Sequence, residues 1–275
     1  MDLNTWLRIS GQHKIKVGIS SCVLGFRVRY DGGHKRECAI VPYLSRFFEF
    51  VPVCPEVESG LSVPREPIQL KRMNGGRIRA VGLKNPRYDV TSRLRGFSHA
   101  RMPSLAALAG FIVKNKSPSC GLESVPIYAG SSPETASGSG IFTTLLIKYY
   151  PLLPVEEEQR LRDIQVRHNF ILRVLVYSGW RELLESSPNA AKLTEFHRSL
   201  RPLLMDHNPS LCLKLDLEVA AVLMEDLEIT LVSYGKILMG ALNRDSNRFD
   251  LKKIRADHWS FKPAYSIRFG RIPSD

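Results

Sequence analysis

Three short apolar runs each stop against a cysteine, and that recurrence constrains the fold more than any other feature of the chain. Lys14 to Ser21 (KIKVGISS) runs into Cys22, Phe47 to Val53 (FFEFVPV) into Cys54, and Gly110 to Lys116 (GFIVKNK) into Ser117-Pro118-Ser119-Cys120. Runs rich in aromatic and β-branched residues and bounded by proline or glycine read as buried strands. Open α/β sheets keep their chemistry at the carboxyl ends of such strands. Parallel neighbours are therefore expected to bring three thiols to one place across sequence gaps of 32 and 66 residues.

Metal binding or catalysis is the live reading of these thiols, because nothing points to an oxidising compartment. The N-terminus MDLNTWLRISGQHK lacks the apolar core of a signal peptide, and no run of eighteen apolar residues exists. A cytoplasmic protein with no membrane partner is expected, and a reducing cytosol argues against a disulfide framework among Cys22, Cys38, Cys54, Cys120 and Cys212. A length of 275 residues exceeds the usual single core and predicts two domains.

The formal charge of +12 favours a polyanionic partner. Residues 1–160 hold 22 Lys and Arg against 13 Asp and Glu, residues 161–275 hold 17 against 14, so most of the excess lies with the cysteine-bearing strands. Between Arg65 and Arg101 ten basic residues face only Glu66 and Asp89. A charge run is also what a solvated surface looks like.

Along the chain, Tyr30-Asp31-Gly32-Gly33 is a turn among Arg27, Arg29, Lys35 and Arg36, with glycines that let backbone approach a ligand. A helix from about Cys38 to Phe47 precedes the second strand, and a hairpin is expected to turn at Asn74-Gly75-Gly76. Asp89-Val90-Thr91 opens a helix toward Ala109, interrupted near Met102-Pro103. Ser137-Gly138-Ser139-Gly140 before a further helix, Ile141 to Tyr150, offers either an anion seat or an ordinary cap. Pro151 to Glu158 (PLLPVEEE) reads as a boundary, after which the periodicity is helical throughout.

Spacing by itself leaves three readings of the thiols open. They are buried inert side chains, an iron–sulfur cluster with one open iron, or a three-cysteine catalytic zinc; a closed zinc site would want CxxC pairs, and the chain has none. Cys38 and Cys212 read as structural, although either could be a fourth ligand. Glu56, two residues after Cys54, suits a general base acting on water, or else a helix-capping or salt-bridged carboxylate. Ser117 and Ser119 orient that water or satisfy turn amides. The seven histidines form no ligand pair.

Val17 to Gly25 (VGISSCVLG), Arg29 to Arg36 (RYDGGHKR), Phe48 to Gly60 (FEFVPVCPEVESG), Val63 to Pro67 (VPREP), Asp89 to Thr91 (DVT) and Lys116 to Gly121 (KSPSCG) together resemble the TudS/RudS family of bacterial thiouracil desulfidases. The later marks His168-Asn169-Phe170, Phe196-His197, Leu204-Met205-Asp206-His207 and Tyr234-Gly235 resemble the helical module fused to that domain in desulfidases acting on 4-thiouridine in tRNA. The resemblance implies an α/β architecture: a parallel-sheet, Rossmann-like desulfidase domain at 1–158 and an all-α, tRNA-binding module at 159–275. It implies a 4Fe–4S cluster held by Cys22, Cys54 and Cys120, whose open iron takes the substrate's sulfur while water replaces it on the base. The catalytic glutamate falls on Glu56 and the catalytic serine on Ser117, before Ser119, with Tyr30, Asp31, Gly32, Gly33 and Lys116 toward the substrate. The chain departs from the family pattern from about Asn247, and Pro202 falls where the family is helical.

The expected function is hydrolytic, non-redox conversion of 4-thiouridine in tRNA to uridine. Free thiouracil or a thionucleotide is the alternative substrate, and a non-catalytic RNA-binding iron–sulfur protein the alternative class. A thiolating enzyme would need to activate its base with ATP, and neither SGGxDS nor GxxxxGK[ST] occurs.

Overall fold

The computed structural model describes residues 14–129, 132–222 and 226–243. They divide into two compact units, Lys14–Phe170 and, among the described residues, 171–243.

The first unit begins with β1 (Ile15–Ser20), the one-turn helix α1 (Ser21–Leu24), the short α2 (Ile40–Leu44), β2 (Phe48–Val53) and the one-turn α3 (Pro55–Glu58). The hairpin β3 (Ile68–Arg72) and β4 (Ile78–Gly82) follows, then α4 (Thr91–Arg101), β5 (Gly110–Val113), β6 (Val125–Ala129), β7 (Ser132–Gly138), α5 (Ile141–Tyr149) and β8 (Val155–Glu157). Strands β2-β1-β5-β8 form a sheet in which every pairing is parallel, with Val17 opposite both Phe50 and Gly110. Its interior side chains Val17, Ile19, Phe48, Phe111, Ile112 and Val113 are buried. Near-continuous apolar runs are what a sheet covered on both faces demands. Gly18 is required by packing: a Cβ there would lie 2.3 Å from the Phe111 ring.

A second, mixed sheet, β4-β3-β6-β7, is attached to the first and was not foreseen from sequence. Its hairpin does turn through Gly75 and Gly76, both at positive φ. Leu70, Ala80, Val125 and Ile127 from this sheet pack with Leu61, Val90, Leu94 and Ile141. Asp89 and Thr91 stitch α4 onto that core. Thr91 Oγ1 accepts from the Ala80 amide at 2.8 Å, and Asp89 Oδ1 accepts from the Thr91 amide at 2.9 Å.

Three expectations are corrected. The helix expected over Cys38–Phe47 is only Ile40–Leu44, because the chain turns over Ser45–Phe47 to bury Phe48 as the start of β2, and Cys38 is left exposed outside it. Residues Pro151–Glu158 are no mere boundary, since Val155–Glu157 is the fourth strand of the parallel sheet. The Ser137–Gly140 turn is no anion seat. The Ile141 and Phe142 amides donate to the carbonyls of Pro118 and Ser119 at 3.1 and 2.9 Å, so the first turn of α5 is already occupied.

The helix α6 (Ile164–Glu185) carries the chain into the second unit, which holds α7 (Ala190–His207), α8 (Pro209–Ala221) and α9 (Leu227–Ala241). Side chains cap each of these starts: Asn189, Asn208 and Asp226 accept from amides of the first turns, contacts worth about 1 kcal/mol apiece. Trp180 stacks on Tyr234 with ring centroids 5.3 Å apart, and a Cβ on Gly235 would lie 3.0 Å from Trp180 Nε1. His197 bridges Tyr234 OH at 3.0 Å and Asp216 Oδ1 at 2.8 Å, and Arg201 pairs with the same carboxylate. Pro202 does not interrupt α7: buried Leu193, Leu200 and Leu204 hold the helix together across the missing N–H. The divergence from Asn247 onward lies outside the described residues.

Candidate active site

Strand order decides where the thiols go. With β1 between β2 and β5, the carboxyl ends of all three open on one side. Cys22 lies in the first turn of α1, Cys54 is the residue between β2 and α3, and Cys120 sits in the loop that follows β5. All three line a cavity of about 380 Å³. Burial pushes the Cys22 thiol up to about 11, with neighbouring Cys54 adding to it. Burial likewise raises Cys54, and holds Cys120 well above the ordinary thiol range with contributions from Cys54 and Cys22. The sulfurs of Cys22 and Cys54, and of Cys120 with both, thus oppose each other's ionisation.

The Cys120 loop is fixed by backbone. The Gly121 amide donates to Ser117 O at 2.8 Å, the Gly140 amide to Gly121 O at 2.8 Å, and Thr143 Oγ1 to Cys120 O at 2.5 Å. Gly140 must be glycine for the loop to sit so near, since a Cβ would meet the Ser119 carbonyl carbon at 2.4 Å. Lys116 takes a φ of 55°, an uncommon conformation for a residue with a Cβ, at the entrance to the turn.

Glu56, in α3, faces the same cavity. Its Oε1 accepts from Ser119 Oγ at 2.8 Å; its Oε2 accepts from Arg65 Nε at 2.8 Å, with Arg65 Nη2 at 2.6 Å. Arg65 is almost fully buried and also donates to Val28 O at 2.9 Å, while its amide donates to Tyr30 O at 2.9 Å. One guanidinium therefore locks the carboxylate to the loop before the glycine turn. The helix-cap role is filled instead by Glu58, which accepts from the Cys54 amide at 2.7 Å.

The two serines separate. Ser117 lines the cavity and its Oγ accepts from the Cys120 amide at 3.2 Å, whereas Ser119 is wholly buried behind the lining and acts on Glu56. Tyr30 and Lys116 line the cavity, as expected. Asp31, Gly32 and Gly33 do not. They shape the turn, with Asp31 Oδ1 accepting from the Gly33 amide at 2.9 Å. Cys38 is absent from the lining and Cys212 belongs to the second unit, so neither joins the three thiols. Val28, Val53, Pro55, Pro67 and Ile68 give the cavity an apolar wall, and Arg29, Lys35, Lys114 and Lys116 a basic one. Arg65, Lys114 and Asn115 were not singled out from sequence. Arg65 stood in the sequence only within VPREP and at the head of the basic run to Arg101, and neither marks it as the partner of a glutamate nine residues earlier.

Residues 17–158 match the family model described as 2-thiouracil desulfurase. The uncharacterised protein YbbK of Bacillus subtilis (strain 168) is 31% identical over 137 residues, covering 46% of this chain and 87% of YbbK. A solved structure of the [4Fe-4S]-dependent thiouracil desulfidase TudS is similar at 28% identity, covering 56% of this chain and 97% of that one, with a TM-score of 0.44. With the family model spanning all three thiols and the chain from Val17 through β8, just over half of its length, the chain belongs to the 2-thiouracil desulfurase family of enzymes.

Proposed function

We propose that Cys22, Cys54 and Cys120 hold a 4Fe–4S cluster, that Glu56 is the general base for hydrolytic removal of sulfur from a thiolated pyrimidine, and that the substrate is 4-thiouridine in tRNA. The observation that carries this reading is the convergence of three thiols, Cys120 buried and Cys22 and Cys54 half-buried, and one carboxylate on a single cavity. The donor set fits the group: three sulfurs with no fourth cysteine in the lining leave one iron without a protein ligand. Among the described residues no three His, Cys, Asp or Glu side chains are drawn around a point as for a single ion. A cluster, whose thiolates each take their own iron, needs no such single point. When bound, the cluster would supply a Lewis acid with affinity for a soft thiocarbonyl sulfur.

The protein's part follows from its hydrogen bonds. Arg65 and Ser119 each hold one oxygen of Glu56, fixing the plane of the carboxylate while leaving a lone pair of Oε1 for a water in the cavity. Glu56 takes that water's proton as oxygen adds to the ring carbon, and the carbon–sulfur bond then breaks, so that the base keeps oxygen and the sulfur departs as hydrosulfide. Ser117, which touches the cavity and receives the Cys120 amide, has its own O–H to donate toward water or substrate. The apolar wall excludes bulk water. Tyr30, about two-fifths exposed beside Arg29, offers a ring for the base at the mouth.

The basic surface supports RNA as partner. Of the exposed cations Arg77, Arg79, Lys84, Arg87, Arg93 and Arg95, only Arg79 forms an ion pair among the described residues, with Asp89. A free thiobase or thionucleotide is the second reading, favoured by the placement of every lining residue within Lys14–Phe170. Anaerobically purified protein, assayed for iron, sulfide and visible absorption, should bleach the thiobase absorbance of 4-thiouridine tRNA faster than that of 4-thiouracil at equal concentration. The reverse order would transfer the assignment to the free base, and a cluster-loaded protein inert on both would leave an RNA-binding iron–sulfur protein. A colourless protein that takes up zinc would overturn the reading.

A further inference from the structure

Glu156, Glu157 and Glu158 are each under 5% exposed, although a run of three carboxylates reads as surface. Glu156 pairs with Arg160 and Glu158 with Lys114. Glu157 is different. Its Oε1 accepts from the Leu122 amide at 2.9 Å and from Ser124 Oγ at 2.5 Å, both neutral donors. Ser124 Oγ in turn accepts from the Lys116 amide at 2.8 Å. A single oxygen on β8 thus fastens both ends of the segment from Lys116 to Ser124, which contains Ser117, Ser119 and Cys120. The mechanism above uses none of these contacts.

We propose that Glu157 is a positioning residue, holding the Lys116–Ser124 loop in the shape that turns Cys120 into the cavity and Ser119 onto Glu56. The neighbouring Glu158 secures the start of the same loop, through Lys114 Nζ at 2.5 Å and the Asn115 amide at 2.6 Å. On the other side the loop is met by α5, whose first amides are bound to Pro118 and Ser119. The Thr143 and Ser139 hydroxyls donate to the carbonyls of Cys120 and Leu122, and the carboxylates at the end of β8 add acceptors for the loop's own donors, which can be removed with that backbone frame left in place. An acidic pair at the end of the last strand therefore acts on the thiol site without touching it.

The test compares Glu157→Leu, which removes the acceptor at similar size, with Glu157→Gln, which keeps an acceptor oxygen. In the metal-free chain, alkylation of Cys120 in Glu157→Leu is expected to quicken about tenfold, as the buried Leu122 amide and the half-buried Ser124 hydroxyl lose their acceptor, while Cys22 and Cys54 keep their rates. After anaerobic reconstitution, the variant should lose iron to a chelator about tenfold faster, the usual scale for an outer-shell partner. Glu157→Gln should restore both readouts to within about twofold of the parent, as expected where the acceptor is retained. Should Glu157→Leu fail to fold, Ser124→Ala breaks the same link at a half-buried position and is read in the same way. An unchanged Cys120 rate would overturn the proposal, as would equal quickening of all three cysteines with a fall in melting temperature. The iron readout rests on the cluster reading above, but thiol labelling does not, so failure of either is told apart from failure of the other.

Discussion

Ser119 Oγ donates to Glu56 Oε1 across 2.8 Å, joining the loop after β5 to the helix after β2. The bond spans 63 residues of chain and couples a buried hydroxyl to the one carboxylate lining the cavity. Ser119→Ala should therefore lower turnover through Glu56, by about tenfold to a hundredfold, and Glu56→Gln by about 10² to 10⁴, the span of general-base contributions. Both should keep the cluster's visible absorption. Steady-state kinetics beside iron analysis checks this; loss of iron in either variant would point to a structural role.

Arg65 is the second support of Glu56, and the pair is nearly closed to solvent. Arg65→Met leaves a buried carboxylate without its cation, a change that costs about 3 kcal/mol or more. Chemical denaturation of the metal-free protein should show that loss, and the double variant with Glu56→Gln should recover part of it.

Gly140 meets the Ser119–Cys120 peptide so closely that a methyl group has no room. Gly140→Ala should destabilise the first unit by about 1 to 3 kcal/mol, as overpacking does, and displace Cys120 as well. Reduced iron content together with a lower melting temperature is the expected pair of observations.

In the second unit, the bidentate Arg201 contact, helped by His197, holds the Asp216 carboxyl below its ordinary value. A depressed carboxylate adds stability above its unfolded pKa of about 3.9, and that stability is lost as pH falls through the lower folded value. Acid unfolding followed by far-ultraviolet circular dichroism should thus steepen below about pH 4. Asp216→Asn should remove that limb and leave a curve flatter with pH.

RNA affinity, if carried by the basic surface, must be salt-dependent. Replacing Arg93 and Arg95 by glutamate should weaken tRNA binding and reduce the slope of log K against log salt by about 0.7 to 0.9 for each phosphate that is no longer neutralised. Turnover of a free thiobase should stay as it was.

The parallel sheet and the meeting of its three cysteines were legible because strand ends and thiols lie side by side in sequence, at Ser20 to Cys22 and Val53 to Cys54. Cys120 was legible for a partly mistaken reason: β5 stops at Val113, and a seven-residue turn rather than the strand delivers the thiol. The roles of Ser117 and Ser119 could not be separated along the chain, since their difference lies in whether each side chain faces the cavity or the back of it. Glu157 and Glu158 were hidden by composition. Three glutamates in a row signal water until the donors of a distant loop are known to surround them, and no local pattern encodes those donors. The second sheet was missed for a related reason, as its pairing of β3 with β6 depends on strands 57 residues apart at Leu70 and Ile127.

The position of β8 also sets an order of events. It is the last strand of the parallel sheet in the chain and the one whose glutamates grip the Cys120 loop. While the chain is being synthesised, Cys22 and Cys54 emerge long before this strand, on a sheet whose pairings are all between distant segments and so form late. A nascent chain that ends short of Glu158 holds all three cysteines but lacks the grip that aims the third. The aim of the third thiol is therefore completed only once Glu157 and Glu158 have left the ribosome.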